Sequence, residues 1–177
     1  MLVTNRFGRP DAAYYFAGNS DSYIGVPNSS SLNITNAITL AAWINFEVGG
    51  TVFPRIINKF AYELATGEFF RATRRLYFTI EGSAQTQLAS PAEILQAGRW
   101  HFVAATYDGT LLLLYVDGLA VASTVAPGGI VPTTLDLNIG RNVKNSADNY
   151  QGLIDDVRIY NRALSCAEIS VLFNETE

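Results

Sequence analysis

Alternation with a period of two runs through almost the whole chain, and it limits the fold more than any other feature. Leu40, Ala42, Ile44 and Phe46 alternate with Thr39, Ala41, Trp43, Asn45 and Glu47. Leu76, Phe78 and Ile80 alternate with Tyr77, Thr79 and Glu81, and Leu135, Leu137 and Ile139 with Asp136, Asn138 and Gly140. Such runs are strands with one face on a core. Residues 100–107 and 111–116 are apolar at both parities, which predicts central strands covered on both sides. Asp108-Gly109 and Asp117-Gly118 read as hairpin turns joining strands near 100–107, 110–117 and 119–126, and Pro127-Gly128-Gly129 closes that meander. The one good helical pattern lies at the end. Ser165 is its cap, Glu168 completes a capping box, and Ile169, Leu172 and Phe173 form its apolar stripe. Roughly a dozen short strands and one short C-terminal helix predict an all-β, two-sheet antiparallel β-sandwich.

The remaining bulk properties narrow the chemistry. A chain of 177 residues is long enough for one domain with a sizeable core, and with 49% hydrophobic and 16% charged residues it should be well buried. The net charge is −4 and the basic residues form no long run, so nucleic acid is not an expected partner. The longest apolar run, Leu111 to Val116, is strand-length, so membrane insertion is not expected either. The first residues show no basic-then-apolar leader, which leaves a cytoplasmic protein or a module of a longer secreted chain. The single cysteine, Cys166, can build neither a disulfide framework nor a thiolate metal cluster. His101, the single histidine, lies in the strand beginning at residue 100 and reads as a hydrogen-bonded sheet residue rather than a catalytic base.

Three groups of residues are candidates for function. In Gly152–Tyr160, alternation places Leu153, Asp155, Val157 and Ile159 on one face and Ile154, Asp156, Arg158 and Tyr160 on the other. The two adjacent acids should then point apart, and an acid in an apolar strand needs a partner. Phe69, Phe70 and Arg71 begin a loop with Arg74 and Arg75. That loop either offers aromatics and guanidiniums to an anionic glycan or packs its phenylalanines and solvates its arginines. Trp43, Asn45, Lys59, Tyr77 and Glu81 fall at outward parity and could line a sugar-binding face.

Six segments in order carry a resemblance. They are Phe16–Pro27, Ile38–Ile44, Trp100–Gly109, Leu114–Gly118, Ile139–Asn142 and Gly152–Ser165. Together they resemble the LamG-like jelly-roll modules of the concanavalin A-like lectin/glucanase superfamily, related to laminin G domains and pentraxins. The resemblance spans about residues 12–173 and implies a single jelly-roll domain over 1–177. It also implies a non-catalytic module, carbohydrate-binding and accessory to a larger secreted or surface protein. A structural or protein-adhesion module without a sugar site is the alternative, and a glycanase or lyase of the same fold the third reading. Glycosidases of this fold carry Glu-x-Asp-x-x-Glu on one strand, which is absent from this sequence.

In similar modules a structural calcium joins the first motif to the late Ile-Asp strand. Carried over, Asp21 and Asp155 would supply carboxylates to Ca2+ and Gly18 a backbone carbonyl, with Asp156 on the opposite face. The family often has Asp or Asn where this chain has Ala17, which removes one oxygen donor. Otherwise Asp155 accepts backbone N–H bonds or pairs with Arg141 or Arg158.

Overall fold

The alternating runs form two antiparallel sheets in the computed structural model, which describes residues 1–49, 51–67, 73–144 and 148–176. The first sheet has the order β1 (Leu2–Val3), β2 (Ala13–Ala17), β14 (Gln151–Tyr160), β4 (Ile38–Phe46), β10 (His101–Tyr107), β11 (Leu111–Val116), β12 (Leu119–Val125). The second has the order β3 (Ile24–Val26), β13 (Leu137–Ile139), β5 (Arg55–Asn58), β6 (Tyr62–Gly67), β7 (Thr73–Glu81), β8 (Gln85–Ala89), and β9 (Leu95–Gln96) pairs with β7. This is the expected jelly-roll sandwich, with strands distant in sequence lying side by side.

The main core lies between the sheets. Leu40, Ala42, Ile44 and Phe46 of β4 meet Leu64 of β6 and Leu76, Phe78 and Ile80 of β7 there. A second, smaller cluster lies on the outer face of the first sheet. Ala41, Phe102, Ala104 and Tyr115 are covered by Leu164 and by Ile169 and Leu172 of the helix α1 (Cys166–Phe173). That second cover explains why β10 and β11 are apolar at both parities. The helix starts as its sequence predicts: the Glu168 N–H donates to the Ser165 hydroxyl, and the Ser165 N–H donates to the Glu168 carboxylate.

The turns set the strand ends. Asp117 and Gly118 have φ of 50° and 80°, the positive pair a type I′ hairpin requires. The Asp108-Gly109 turn is one residue longer. Its strands resume at Leu111, and the Asp108 carboxylate accepts the Thr110 and Leu111 N–H groups at 2.9 and 2.8 Å.

Strand β14 departs from simple alternation. Asp155 lies opposite Trp43 and Arg158 opposite Ala41, so two residues, 156 and 157, occupy one step of β4. Asp156 takes φ of 47° at this bulge. Core contact therefore changes parity along the strand, from Ile154 to Val157 and Ile159. The expectation that Asp155 and Asp156 point to opposite faces fails for this reason.

Candidate functional site

The partner of the two acids is Arg6, in the turn between β1 and β2. Asn5 shapes that turn, its side-chain oxygen accepting the Phe7 and Arg9 N–H groups, each at 3.0 Å. Arg6 Nη1 lies 3.2 Å from Asp155 Oδ2 and 2.7 Å from Asp156 Oδ2. The bulge makes this possible by turning both carboxylates to one guanidinium. The Arg6 side chain is only 8% exposed, and its guanidinium carbon lies 4.5 Å from the Trp43 ring centroid and 4.2 Å from that of Phe7. Cation, acids and aromatics thus hold the N-terminal turn on the first sheet. Asp155 also accepts the Asp156 N–H at 2.8 Å.

Beside this cluster, on the outer face of the first sheet, lies an aromatic cleft of about 370 Å³. Trp43, Trp100, Phe7 and Phe173 line it, with Arg6, Asn174, Glu175 and Thr176 as its polar members. Trp43 stacks on Phe173 at 5.7 Å between centroids and meets the edge of Phe102 at 5.6 Å. Glu175 is held by Arg158 at 2.5 Å, and this contact, with further ones to Tyr160 and Asp156, raises the Arg158 pKa against the lowering effect of burial. Two tryptophans and two phenylalanines in a shallow opening, with amide, hydroxyl and charged groups beside them, can stack on apolar ring faces and hydrogen-bond to ring hydroxyls.

Next to Trp100, the one histidine is fully engaged. His101 Nε2 accepts the Gln96 N–H at 3.1 Å, which assigns the proton to Nδ1, and Nδ1 donates to Asp117 Oδ2 at 2.9 Å. Asp117 also accepts the Phe102 N–H at 3.0 Å. Burial alone would raise the Asp117 pKa, but His101, the Phe102 N–H and Arg99 outweigh it and hold it below the usual carboxylate value. A depressed folded-state value adds stability above the unfolded-state pKa and loses it as pH falls through the folded-state pKa. Asp117→Asn should therefore flatten the loss of stability on acidification below about pH 4. Urea unfolding at successive acid pH values checks this, and parallel curves for variant and parent would refute it.

The other predicted residues are dispersed. Tyr77 and Glu81 belong to the second sheet, with Tyr77 edge-on to Phe53 at 5.5 Å, whereas Trp43 and Asn45 face outward from the first. Lys59 is buried, its ammonium donating to Asn28 Oδ1 at 2.6 Å and to the Leu135 carbonyl at 2.7 Å. The proposed row is therefore not one surface. Phe69, Phe70 and Arg71 lie outside the described residues. Arg74 is buried against Phe46 and donates to the Gly49 carbonyl at 2.6 Å, and Arg75 donates to the Ser90 carbonyl at 2.9 Å. Arg74 is thus not a solvated loop arginine.

The expected calcium ligands are also separated. Ala17 lies opposite Gln151, and the Gly18 N–H donates to the Tyr150 carbonyl. Asp155 is five residues beyond Tyr150, about 16 Å at a strand rise of roughly 3.3 Å per residue. Two ligands of one calcium lie within about 5 Å of each other, so Gly18 and Asp155 do not fit a shared ion. Asp21 stays in its own turn, where its N–H donates to Asn19 Oδ1. Arg141 fills the neighbouring position. It lies 3.3 Å from the Tyr23 ring centroid and donates to the Ser20 carbonyl at 2.9 Å. Arg141 and Arg158 are thus committed elsewhere, and Asp155 takes Arg6. No cluster of three or more His, Cys, Asp or Glu suited to a metal occurs among the described residues.

Sequence reading missed Arg6, Phe7 and Trp100 as site residues. The one available signal was that the chain has two tryptophans, at 43 and 100.

Comparison with known proteins agrees with the fold. The chain is 23% identical over 167 residues to mouse usherin and 26% identical over 184 residues to zebrafish adhesion G-protein coupled receptor V1. These matches take in 86% and 92% of this chain but 3% of each relative, so it corresponds to a small part of much longer proteins. Among solved structures, the binding domain of Paraclostridial Mosquitocidal Protein 1 superposes with a TM-score of 0.76 at 16% identity, over 98% of this chain and 45% of that one. Domain 4 of the Geobacillus stearothermophilus arabinanase AbnA, in complex with arabinotriose, gives 0.71 at 18% identity over 97% and 80%. The Ruminococcus gnavus sialidase CBM40, bound to α2,3-sialyllactose, gives 0.71 at 13% identity over 92% and 97%. A laminin G-type family description matches residues 17–170. The chain therefore belongs to the concanavalin A-like lectin/glucanase superfamily, as one of its laminin G-like members.

Proposed function

We propose that this module binds carbohydrate without cleaving it, at the Trp43–Trp100 cleft, as an accessory part of a larger extracellular protein. The observation that carries the reading is the cleft itself, which brings two tryptophans together with polar groups suited to sugar hydroxyls. Arabinotriose and sialyllactose on two domains of the same fold add support. Glycoside hydrolysis needs two carboxyl groups facing across a substrate, about 5–9.5 Å apart. Asp155 and Asp156 instead converge on one arginine.

Affinity electrophoresis through gels containing a panel of polysaccharides tests the proposal. At least one should retard the parent protein, and Trp100→Ala should weaken that interaction at least tenfold, or about 1.4 kcal/mol, with little change in melting temperature. No retardation by any glycan would favour the structural or protein-adhesion reading, and release of reducing ends would revive the enzyme. We also propose that Arg6, rather than calcium, satisfies the acids of β14. Melting temperatures in excess calcium and in EDTA should coincide, because an ion bound to the folded state alone would raise the first.

A further inference from the structure

The fold does not decide the charge of a ligand, since its solved examples hold both a neutral arabinotriose and an acidic sialyllactose. The cleft of this chain does carry that information. We infer that it selects uncharged glycans and rejects sialylated, sulfated and uronate-containing ones, an inference that rests on the carbohydrate reading above.

The charged groups at the cleft and directly behind it are Arg6, Arg158, Asp155, Asp156 and Glu175. Two arginines against three carboxylates leave one net negative charge, and the chain as a whole carries −4. Recognition of a carboxylate or sulfate relies on a guanidinium fork presented to the ligand. Here Arg6 is committed to Asp155 and Asp156, and Arg158 to Glu175. Drawing Arg6 toward a ligand anion would strip the cation from two adjacent carboxylates, one of them only 12% exposed. Glu175, at the cleft, is matched by Arg158, so that pair offers an incoming anion no net positive charge. The groups left for recognition are the aromatic surfaces that Arg6 and the Trp43–Phe173 stack do not already cover, the exposed Asn174 and Thr176, and the carboxylates as acceptors for sugar hydroxyls. That set recognises a neutral sugar.

The test is retention on immobilised arabinan, β-glucan and galactan, against heparin, polysialic acid and polygalacturonate, at low and high salt. At least one neutral polymer should retain the protein with little dependence on salt, and Phe7→Ala and Trp100→Ala should each weaken retention at least tenfold. The anionic polymers should not retain the parent protein, and Glu175→Lys should raise its affinity for heparin at least tenfold. Retention of the parent on an anionic polymer, lost on Trp100→Ala, would overturn the charge selection and leave the carbohydrate reading standing. Retention on neither class would overturn the carbohydrate reading, and the inference with it.

Discussion

Gly152→Ala should cost the domain a large part of its stability. Gly152 lies in the middle of the first sheet, opposite Phe16 on one side and Phe46 on the other, with φ of 128°. A Cβ there would sit 2.3 Å from the Asn45 carbonyl oxygen and 2.7 Å from the Phe46 Cα. Both are backbone atoms of β4, which cannot yield without breaking its pairing. Overpacking costs about 1–3 kcal/mol, and this φ region, essentially restricted to glycine, adds about 1–3 kcal/mol. Together they come to about 2–6 kcal/mol, a large part of the roughly 5–15 kcal/mol that holds a typical domain folded. Gly98→Ala is the control. Its φ is also positive, at 74°, but nothing lies within 4 Å of the added methyl, so only the left-handed backbone cost of about 1–2 kcal/mol should appear. Circular dichroism melts of the two variants make the comparison, and a Gly152→Ala protein as stable as Gly98→Ala would contradict the packing described for β14.

Arg6→Ala should have the second-largest effect, on both stability and binding. Removing one partner of a buried ion pair costs about 3–5 kcal/mol. Asp156 is 38% exposed and partly rescued by water, so about 2–3 kcal/mol is the better expectation after screening. For a chain of this length that lowers the melting temperature by roughly 5–10 °C. The N-terminal turn would also lose its anchor, and Phe7 its place in the cleft, so glycan retention should fall further than the stability loss alone explains. Arg6→Lys should recover only part of the stability, because an ammonium cannot stack between two rings as a planar guanidinium does. An Arg6→Ala melt indistinguishable from the parent would show that the acids are satisfied in another way.

Much of the fold was legible because alternation reports local backbone geometry. The β4, β7, β10 and β11 runs, the Asp117-Gly118 turn and the Ser165 cap each depend on neighbours a few residues away. The site was less legible because it depends on residues far apart in the chain. Arg6 meets Asp155 across 149 positions, and no pattern near either residue announces the other. Parity also carries no sheet label, so Trp43 and Tyr77 both read as outward although they face away from opposite sheets. Lys59 shows a further limit: an outward parity does not imply exposure where the chain between β3 and β4 and the segment before β13 supply two acceptors for a buried ammonium. The separation of Gly18 from Asp155 follows from the pairing register of β2 and β14, which only the structure supplies.

The bulge in β14 amounts to one added residue, Asp156. Without Asp156 the strand would read Ile154, Asp155, Val157, Arg158, Ile159, in unbroken in-and-out order along β4. The extra position is thus an insertion that hydrogen-bonding of the sheet does not require. A shortened chain lacking that single aspartate should keep its ladder and its oily interior, while the guanidinium of Arg6 would be left with one counter-charge instead of two.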